Sequence, residues 1–201
     1  QGDTSTVFAG ALAAFYQKVK VGHVEAGLRS GNLYSPYPEE ANRKLTGVLA
    51  HFHFAPTEIN RLNLLKEGYP EERIFITGNT VIDALKFAVK KDYKFHLPLL
   101  NDIDYKNKRI ILVTSHRREN IGKPMENIFS AINDIALKYA DVEVVFPIHL
   151  NPKVREIAYR VFKGNDKVHL IEPLDYEPFT NLMAKSHLVV TDSGGLQEEA
   201  P

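Results

Sequence analysis

The 201-residue sequence contains no cysteine and no tryptophan, and its 25 basic and 25 acidic side chains leave a formal net charge of zero. Without cysteine there is no disulfide framework, no thiolate nucleophile and no cysteine-based zinc site. Zero net charge argues against the basic surface of a nucleic-acid-binding protein. We therefore expect neither a disulfide-stabilised domain nor a nucleic-acid partner.

Long apolar segments are also lacking. The longest apolar runs, such as residues 109–114, are far shorter than the roughly 20 residues needed to span a bilayer. The first four residues, Gln-Gly-Asp-Thr, carry neither the basic region nor the apolar region of a secretory signal. These absences predict a globular protein of the cytoplasm that has no membrane partner.

The second half of the chain alternates short apolar runs with helical patterns. The apolar runs are β-branched and do not alternate with polar residues, which is typical of strands buried on both faces of a parallel sheet. The predicted strands are 109–114, 142–148, 168–171 and 188–191, and the predicted helices are 124–139, 152–162 and 176–184. This order predicts a βαβαβαβ domain.

The first half shows the same rhythm less clearly. The predicted helices are 4–16, 39–50, 58–67 and 79–88, and the predicted strands are 19–24, 51–55 and 73–77. Residues 91–108 are charged and weakly periodic, and so predict a linker between a first domain at 1–90 and a second at 109–201. The expected fold class is α/β, with two Rossmann-like domains that carry ligand loops at the carboxyl ends of parallel strands.

Two loops after predicted strands are suited to a diphosphate. Residues 192–199, Asp-Ser-Gly-Gly-Leu-Gln-Glu-Glu, combine small residues with a helix start whose N–H groups attract anions. The alternative is a glycine-rich turn with a good cap. Residues 115–120, Ser-His-Arg-Arg-Glu-Asn, offer a histidine and two arginines to phosphate oxygens, the alternative being a solvated run of charges.

Three carboxylates are expected at one edge of the first sheet. Asp3 ends a residual first strand, Glu25 follows the next predicted strand, and Glu39 opens a helix. Clustered carboxylates push their pKa values apart and thereby supply an acid and a base. Helix capping is the competing interpretation for each, and we prefer it for Glu40, which lies in the first helical turn.

The remaining histidines have two interpretations. His149 lies at a strand end, where it is suited either to phosphate contact or to structural packing. The histidines within apolar strands or the linker are interpreted as structural: His51, His53, His96, His169 and His187. Because no spacing typical of a metal site occurs, we expect no metal and no cofactor.

Seven motifs are spread along the whole chain. They are QGDT at 1–4, GHVEAGLR at 22–29, PEEANR at 38–43, GNTVID at 78–83, HRREN at 116–120, HLNP at 149–152 and DSGGLQEEAP at 192–201. In this order they resemble the motifs of the non-hydrolysing UDP-N-acetylglucosamine 2-epimerases. The resemblance implies a glycosyltransferase-B fold with two Rossmann-like domains, each incomplete here because the family extends further at both ends.

The resemblance also implies an activity. The family interconverts UDP-N-acetylglucosamine and UDP-N-acetylmannosamine by eliminating UDP to form 2-acetamidoglucal, and it serves surface polysaccharide synthesis. By resemblance the catalytic residues are Asp3, Glu25, Glu39 and His116, the UDP contacts are Leu174, Phe179, Ser193, Gly194, Gly195 and Glu199, and a second nucleotide-sugar site comprises Arg117, Arg118 and His149. A homodimer is implied as well. Which carboxylate is the acid and which the base does not follow from the sequence.

Three other functions share parts of this pattern. One is that of the hydrolysing relatives, which release UDP and free N-acetylmannosamine. Another is a glycosyltransferase of the same fold, which needs an acceptor site that the sequence does not reveal. The third is a non-catalytic nucleotide-sugar-binding module, a function compatible with the incomplete domains.

Overall fold

A computed structural model describes residues 1–200, apart from the side chain of Arg118. The chain divides into two compact units, Gln1–Asp83 (unit 1) and Ala84–Pro201 (unit 2). Among the described residues, no helix is both long enough and apolar enough to cross a membrane. The division falls within one helix, seven residues before the boundary predicted at residue 90.

Unit 1 contains a three-stranded parallel sheet in the order β1-β2-β3. Its elements are α1 (Ser5–Tyr16), β1 (Gly22–Val24), α2 (Glu39–Leu49), β2 (Phe52–Ala55), α3 (Glu58–Lys66), β3 (Ile74–Ile76) and the start of α4 (Thr80–Ala88). The buried apolar cluster of this unit is small and comprises Ala26, Ala55, Leu64 and Ile74. The order of these elements confirms the alternation of helix and strand predicted for this half.

The first strands are shorter than predicted. β1 begins at Gly22 rather than at residue 19, because Lys18 adopts a left-handed φ of 58° that reverses the chain after α1. Residues 1–3 form no strand. A backbone hydrogen bond from Gly2 N–H to the Val24 carbonyl at 3.1 Å helps to hold them beside the end of β1. That bond brings the first residues of the chain to the carboxyl end of the sheet.

Unit 2 contains a four-stranded parallel sheet in the order β6-β5-β4-β7. Its further elements are α5 (Pro98–Asp102), β4 (Arg109–Thr114), α6 (Lys123–Lys138), β5 (Val142–Pro147), α7 (Pro152–Val161), β6 (Val168–Ile171), α8 (Tyr176–Lys185), β7 (Leu188–Thr191) and α9 (Gly194–Glu199). The chain builds outward from β4 through β5 to β6 and then returns to place β7 on the other side of β4. The loops after β4 and β7 therefore lie at the topological switch point where such sheets bind ligands.

The central strands of unit 2, β4 and β5, are buried on both faces, as the continuous apolar runs predicted, whereas β6 and β7 are partly buried. On one face Phe129 of α6, Ala158 of α7 and Phe162, which directly follows α7, form a cluster with Val144 and Phe146. On the other face Ile110 and Leu112 pack with Leu182 of α8. Both faces are covered, which is why neither β4 nor β5 shows the alternation of a half-exposed strand.

The segment predicted as a linker belongs to the core of unit 2. Phe95, Leu100 and Ile103 are buried in the same cluster as Ile110. Asn101 fixes the segment by accepting from Phe95 N–H at 2.9 Å and donating to the Phe95 carbonyl at 2.8 Å. The charges between these apolar residues disguise their burial in the sequence, because the segment is mostly irregular and has no period.

Candidate functional site

Asp192 ties together the two loops at the switch point of unit 2. The loop after β4 and the loop after β7 emerge side by side, since Thr114 and Thr191 are register partners whose hydroxyls are 2.8 Å apart. The Asp192 carboxylate accepts hydrogen bonds from the Ser115 hydroxyl (2.9 Å), the backbone N–H groups of His116 (3.0 Å) and Arg117 (3.0 Å), and the Asn120 amide (3.1 Å). One carboxylate therefore sets the conformation of the whole 115–120 loop.

The environment keeps Asp192 negatively charged. Burial opposes ionisation, but the hydrogen bonds from Arg117, Asn120, His116 and Ser115 outweigh it and lower the pKa of the Asp192 carboxyl. The sequence-based interpretation gave this residue no role. The signal in the sequence was the position of Asp192 directly after one predicted strand. Ser115 directly follows the neighbouring strand, so the Asp192 carboxylate can accept hydrogen bonds from the loop that begins at Ser115.

His116 and His149 lie together. Their rings are stacked at 5.5 Å with an interplanar angle of 17°, and both line a cavity of about 280 Å³. Leu174 and Phe179 line the same cavity. The structure thus brings together two predicted UDP-contacting residues, the predicted catalytic histidine, and a histidine predicted for a second site.

Arg117 lies against the glycine-rich loop. Its Nε donates to the Asp192 carbonyl at 3.1 Å, and a methyl group placed on Gly194 would lie 3.6 Å from its Nη2. The guanidinium is therefore next to the predicted phosphate loop, although the resemblance implied a separate site for it. The backbone of Arg118 forms part of a 3₁₀ turn, but its side chain lies outside the described residues.

Glu199 faces a different cavity. Ser193 N–H donates to the Thr191 hydroxyl at 2.9 Å and leads directly into α9, on which Gly195 and Glu199 are one turn apart. Burial, and secondarily the neighbouring charge of Glu198, raise the pKa of Glu199. Its side chain lines a cavity of about 380 Å³ with Leu85, Val89, Thr180, Met183 and Ala184, which His116 does not line.

Asp3 is held on α2 in unit 1. Arg43 Nη2 lies 2.8 Å from Asp3 Oδ2 and its Nε donates to the same oxygen at 2.9 Å, while the Asn42 amide donates to the Asp3 carbonyl at 2.9 Å. Glu39 is one helical turn before Arg43, so the two side chains share a face of α2. Asp3 therefore lies beside the helix face that carries Glu39.

Glu40 has a structural role, but this role is not the helix capping that was predicted. It is fully buried, and it accepts from Ser30 N–H at 3.1 Å, from Gly31 N–H at 3.2 Å and from Arg43 Nη1 at 3.2 Å. Its partners are thus the preceding loop and a side chain, rather than the first turn of its own helix. Glu40 joins the loop after β1 to the arginine that holds Asp3.

Glu25 lies at the end of β1 in a left-handed conformation with φ 68°. A methyl group placed on Gly2 would be 3.4 Å from Glu25 Oε2, so its carboxylate lies next to the segment that carries Asp3. His23 Nε2 is 2.8 Å from the Gly2 carbonyl and fixes the same segment. No three histidine or acidic side chains within residues 1–200 are grouped closely enough to hold a metal ion.

Comparison with known proteins identifies the family. The family model described as UDP-N-acetylglucosamine 2-epimerase matches residues 1–201. The chain belongs to this family. The UDP-N-acetylglucosamine 2-epimerase of Bacillus subtilis is 56% identical over 200 residues, which cover 100% of this chain and 52% of that protein. The chain therefore spans about half the length of the curated relatives it matches.

Solved structures of the epimerase family agree with the fold. The S. aureus MnaA–UDP structure matches with a TM-score of 0.93 and 55% identity, covering 100% of this chain and 54% of that one. The Neisseria meningitidis UDP-GlcNAc 2-epimerase bound to UDP-GlcNAc matches with a TM-score of 0.84 and 50% identity, covering 100% and 55%. With two parallel sheets in this chain, these matches confirm the α/β class and the glycosyltransferase-B fold.

Proposed function

We propose that the protein containing this chain is a non-hydrolysing UDP-N-acetylglucosamine 2-epimerase. In the proposed reaction the bond between C1 and the UDP oxygen breaks, UDP leaves with the electron pair, and a base removes the C2 proton to form 2-acetamidoglucal. UDP then attacks C1 again while a proton is added to the opposite face of C2. UDP-N-acetylglucosamine and the product therefore differ only in the configuration at C2.

The loop arrangement around Asp192 is the observation that carries this proposal. It places His116 and Arg117 at the switch point of a Rossmann-like sheet, where a departing diphosphate needs a proton donor and a cation. Leu174 and Phe179 supply apolar surface in the cavity of His116, as the uracil of UDP requires. From the family resemblance we assign Ser193, Gly194 and Gly195 to the phosphates and Glu199 to the ribose hydroxyls, although Glu199 lines a different cavity from His116.

The carboxylates of unit 1 are proposed for proton transfer. Asp3 and Glu25 flank Gly2, and Glu39 shares a helix face with the arginine that binds Asp3. A site that removes a proton from one face of C2 and adds one to the other needs two such groups. We therefore propose Asp3, Glu25 and Glu39 as the residues from which the acid and the base are drawn.

Other parts of the proposal come from the family resemblance. They are a role in surface polysaccharide synthesis, a cytoplasmic location, a homodimer, and a second nucleotide-sugar site involving Arg117, Arg118 and His149. The stacking of His149 on His116 and the position of Arg117 beside Gly194 favour an alternative in which these two residues serve the UDP site itself.

NMR of the sugar products in D₂O tests the reaction. The enzyme that contains this chain is expected to convert UDP-N-acetylglucosamine to UDP-N-acetylmannosamine with deuterium at C2. Free N-acetylmannosamine would instead indicate the hydrolysing reaction, and transfer of the sugar to an added acceptor would indicate a glycosyltransferase. Binding of UDP in calorimetry without any turnover would indicate a binding module.

Substitution of the carboxylates tests their roles. Asp3→Asn and Glu25→Gln are expected to abolish C2 deuterium incorporation and to leave UDP binding intact, because neither residue is assigned to the nucleotide. Glu72→Gln, which changes an exposed glutamate in a turn before β3, is the matched control and is expected to leave exchange unchanged. Deuterium incorporation retained in either test variant would remove that residue from proton transfer.

A further inference from the structure

The two oxygens of the Asp192 carboxylate share one donor and otherwise have different neighbours. Oδ2 accepts from the Ser115 hydroxyl, the Arg117 N–H and the Asn120 amide. The backbone N–H of His116 is shared between Oδ2 at 3.0 Å and Oδ1 at 3.1 Å, and Oδ1 lies 3.5 Å from Nδ1 of the same residue's ring. Oδ2 therefore anchors the loop, and Oδ1 is the oxygen that faces the imidazole.

A carboxylate beside one ring nitrogen determines which nitrogen of a neutral imidazole carries the proton. The hydrogen bonds around Asp192 keep its carboxylate ionised, and the negative charge of Oδ1, 3.5 Å from Nδ1 of His116, favours a proton on that nitrogen. The neutral ring is then protonated at Nδ1. Its Nε2, on the side of the ring away from Asp192, carries the lone pair.

His149 is arranged in the opposite sense. The backbone N–H of Asn151 donates to His149 Nδ1 at 3.1 Å, so this nitrogen must carry the lone pair and the neutral ring is protonated at Nε2. The two stacked rings that line one cavity therefore differ in the state of Nε2, which accepts a hydrogen bond on neutral His116 and donates one on His149. His149 therefore serves as an internal reference when the tautomer of His116 is measured.

We propose that Asp192 is a positioning residue that fixes His116 in the Nδ1-protonated tautomer and so reserves Nε2 for the proton exchanged with the departing diphosphate. The diphosphate part rests on the proposed function, whereas the tautomer does not. For the elimination step His116 is the imidazolium, protonated at both nitrogens. As the C1–O bond breaks, Nε2 gives its proton to a phosphate oxygen and the ring becomes the neutral Nδ1–H tautomer. When UDP attacks C1 again, that oxygen returns the proton to Nε2.

The tautomers are measured directly by ¹⁵N NMR of the histidine-labelled 201-residue chain at about pH 8.5, where an ordinary imidazole is neutral. We expect His116 to be protonated at Nδ1 and His149 at Nε2, with the His116 signals assigned by their loss in His116→Gln. A wild-type His116 protonated at Nε2 would overturn the proposal. This outcome does not depend on whether any Asp192 variant folds.

Asp192→Asn is expected to replace Oδ1, the oxygen that faces the His116 ring, with an NH₂ group. The donors around Oδ2 favour the amide oxygen there, which leaves the NH₂ group next to His116 Nδ1. His116 is then expected to change to the Nε2-protonated tautomer, while His149 does not change. Ser115→Ala removes one bond to Oδ2 without altering Oδ1, and it is expected to keep the wild-type tautomer. An unchanged His116 tautomer in Asp192→Asn, or a changed one in Ser115→Ala, would contradict the proposal.

Kinetic measurements on the enzyme that contains this chain distinguish two roles of Asp192: positioning the His116 ring, and only stabilising the loop. Asp192→Asn is expected to lower kcat by about 100-fold or more, as loss of an acid–base group does. KM and UDP affinity are expected to change by less than about threefold, because the loop anchor at Oδ2 is retained. A parallel loss of UDP affinity and turnover would assign Asp192 to loop stability alone. A wild-type enzyme without turnover would refute the proposed function but leave the tautomer result standing.

Discussion

Two adjacent glutamates at the start of α2 have opposite surroundings. Glu40 is completely buried, and three donors, from Ser30, Gly31 and Arg43, share its carboxylate oxygens. Glu39 is half-buried at the first position of the helix. A buried carboxylate with every partner in place holds the structure together, whereas a partly exposed one is available to a substrate. We therefore expect the two residues to be separable by experiment.

Glu40→Gln is expected to lower the free energy of unfolding by about 1–3 kcal/mol, because the introduced NH₂ group faces N–H donors in a buried site. Glu39→Gln is expected to change it by less than about 0.5 kcal/mol, as at most partly exposed sites. Urea denaturation of the 201-residue chain measures both. In the complete enzyme, Glu39→Gln is expected to stop C2 proton exchange. Equal stability losses in the two variants would contradict this division of roles.

The loop that joins β1 to α2 packs tightly on α3 at Gly27. This residue has a φ of 88°, and a methyl group added to it would lie 2.3 Å from the carbonyl oxygen of Asn60. The Asn63 amide donates to the Gly27 carbonyl at 3.0 Å and closes the contact. Gly31 in the same loop has a φ of 80° but no neighbour within 4 Å of such a methyl group. The two glycines therefore share a backbone conformation and differ in packing.

Gly27→Ala is expected to lower the free energy of unfolding by about 3 kcal/mol or more, since left-handed strain and a backbone clash add together. Gly31→Ala is the matched control, and its expected cost is only the strain, about 1–2 kcal/mol. Urea denaturation of both variants measures the difference. Equal costs would show that α3 moves freely away from the loop.

Two neighbouring strands of unit 1 carry buried histidines opposite each other. His23 on β1 and His53 on β2 are register partners, and their side chains are 2% and 1% exposed. Burial lowers the pKa of His53 to about 4 and also lowers the pKa of His23. Both values in the folded chain lie below the ordinary value of about 6.5 in the unfolded chain. Between these values the unfolded chain binds protons that the folded chain does not.

Unit 1 is therefore expected to lose stability as the pH falls from about 6.5 to about 4, by on the order of 2–4 kcal/mol for His53. Above pH 6.5 both states are neutral and this stability is fully present. His53→Leu is expected to flatten most of the pH dependence, whereas the same change at the exposed His96 is the control. Urea denaturation at pH 7.5 and pH 5, followed through the methyl signals of Ala55 and Leu64, measures it. If the free energy of unfolding of His53→Leu falls with pH as steeply as that of the wild type, His53 is not the source of the pH dependence.

The strands of unit 2 are the elements that the sequence predicted best. β4, β6 and β7 match their predicted bounds because continuous β-branched runs are typical of strands in a parallel sheet, although β6 and β7 are only partly buried. The segment at 91–108 was wrongly interpreted as a linker, since Phe95 and Leu100 are buried through long-range contacts that leave no period in the sequence. The role of Asp192 leaves no local pattern in the sequence for a related reason. Its partners are about 75 residues away in the chain, so only the strand order reveals them.

At the scale of the whole chain, the two units differ greatly in their cores. The buried cluster of unit 1 contains two alanines, one leucine and one isoleucine. Unit 2 buries its sheet on both faces and includes Phe129, Phe146 and Phe162 in one cluster. Because buried apolar area is the main source of folding free energy, the units are expected to differ in stability. The carboxylates proposed for catalysis thus lie on the unit that is expected to be less stable.

Native-state hydrogen exchange at increasing urea concentrations measures this difference. The amides of β1, β2 and β3 are expected to exchange at urea concentrations at which those of β4 and β5 are still protected. UDP at about 100 times its Kd is expected to raise the opening free energy of unit 2 by about 2.7 kcal/mol, because all residues assigned to UDP lie there. Protection that rises only in unit 1 would overturn that assignment. A single concerted opening of both units would show instead that their stabilities are coupled, despite the difference between their cores.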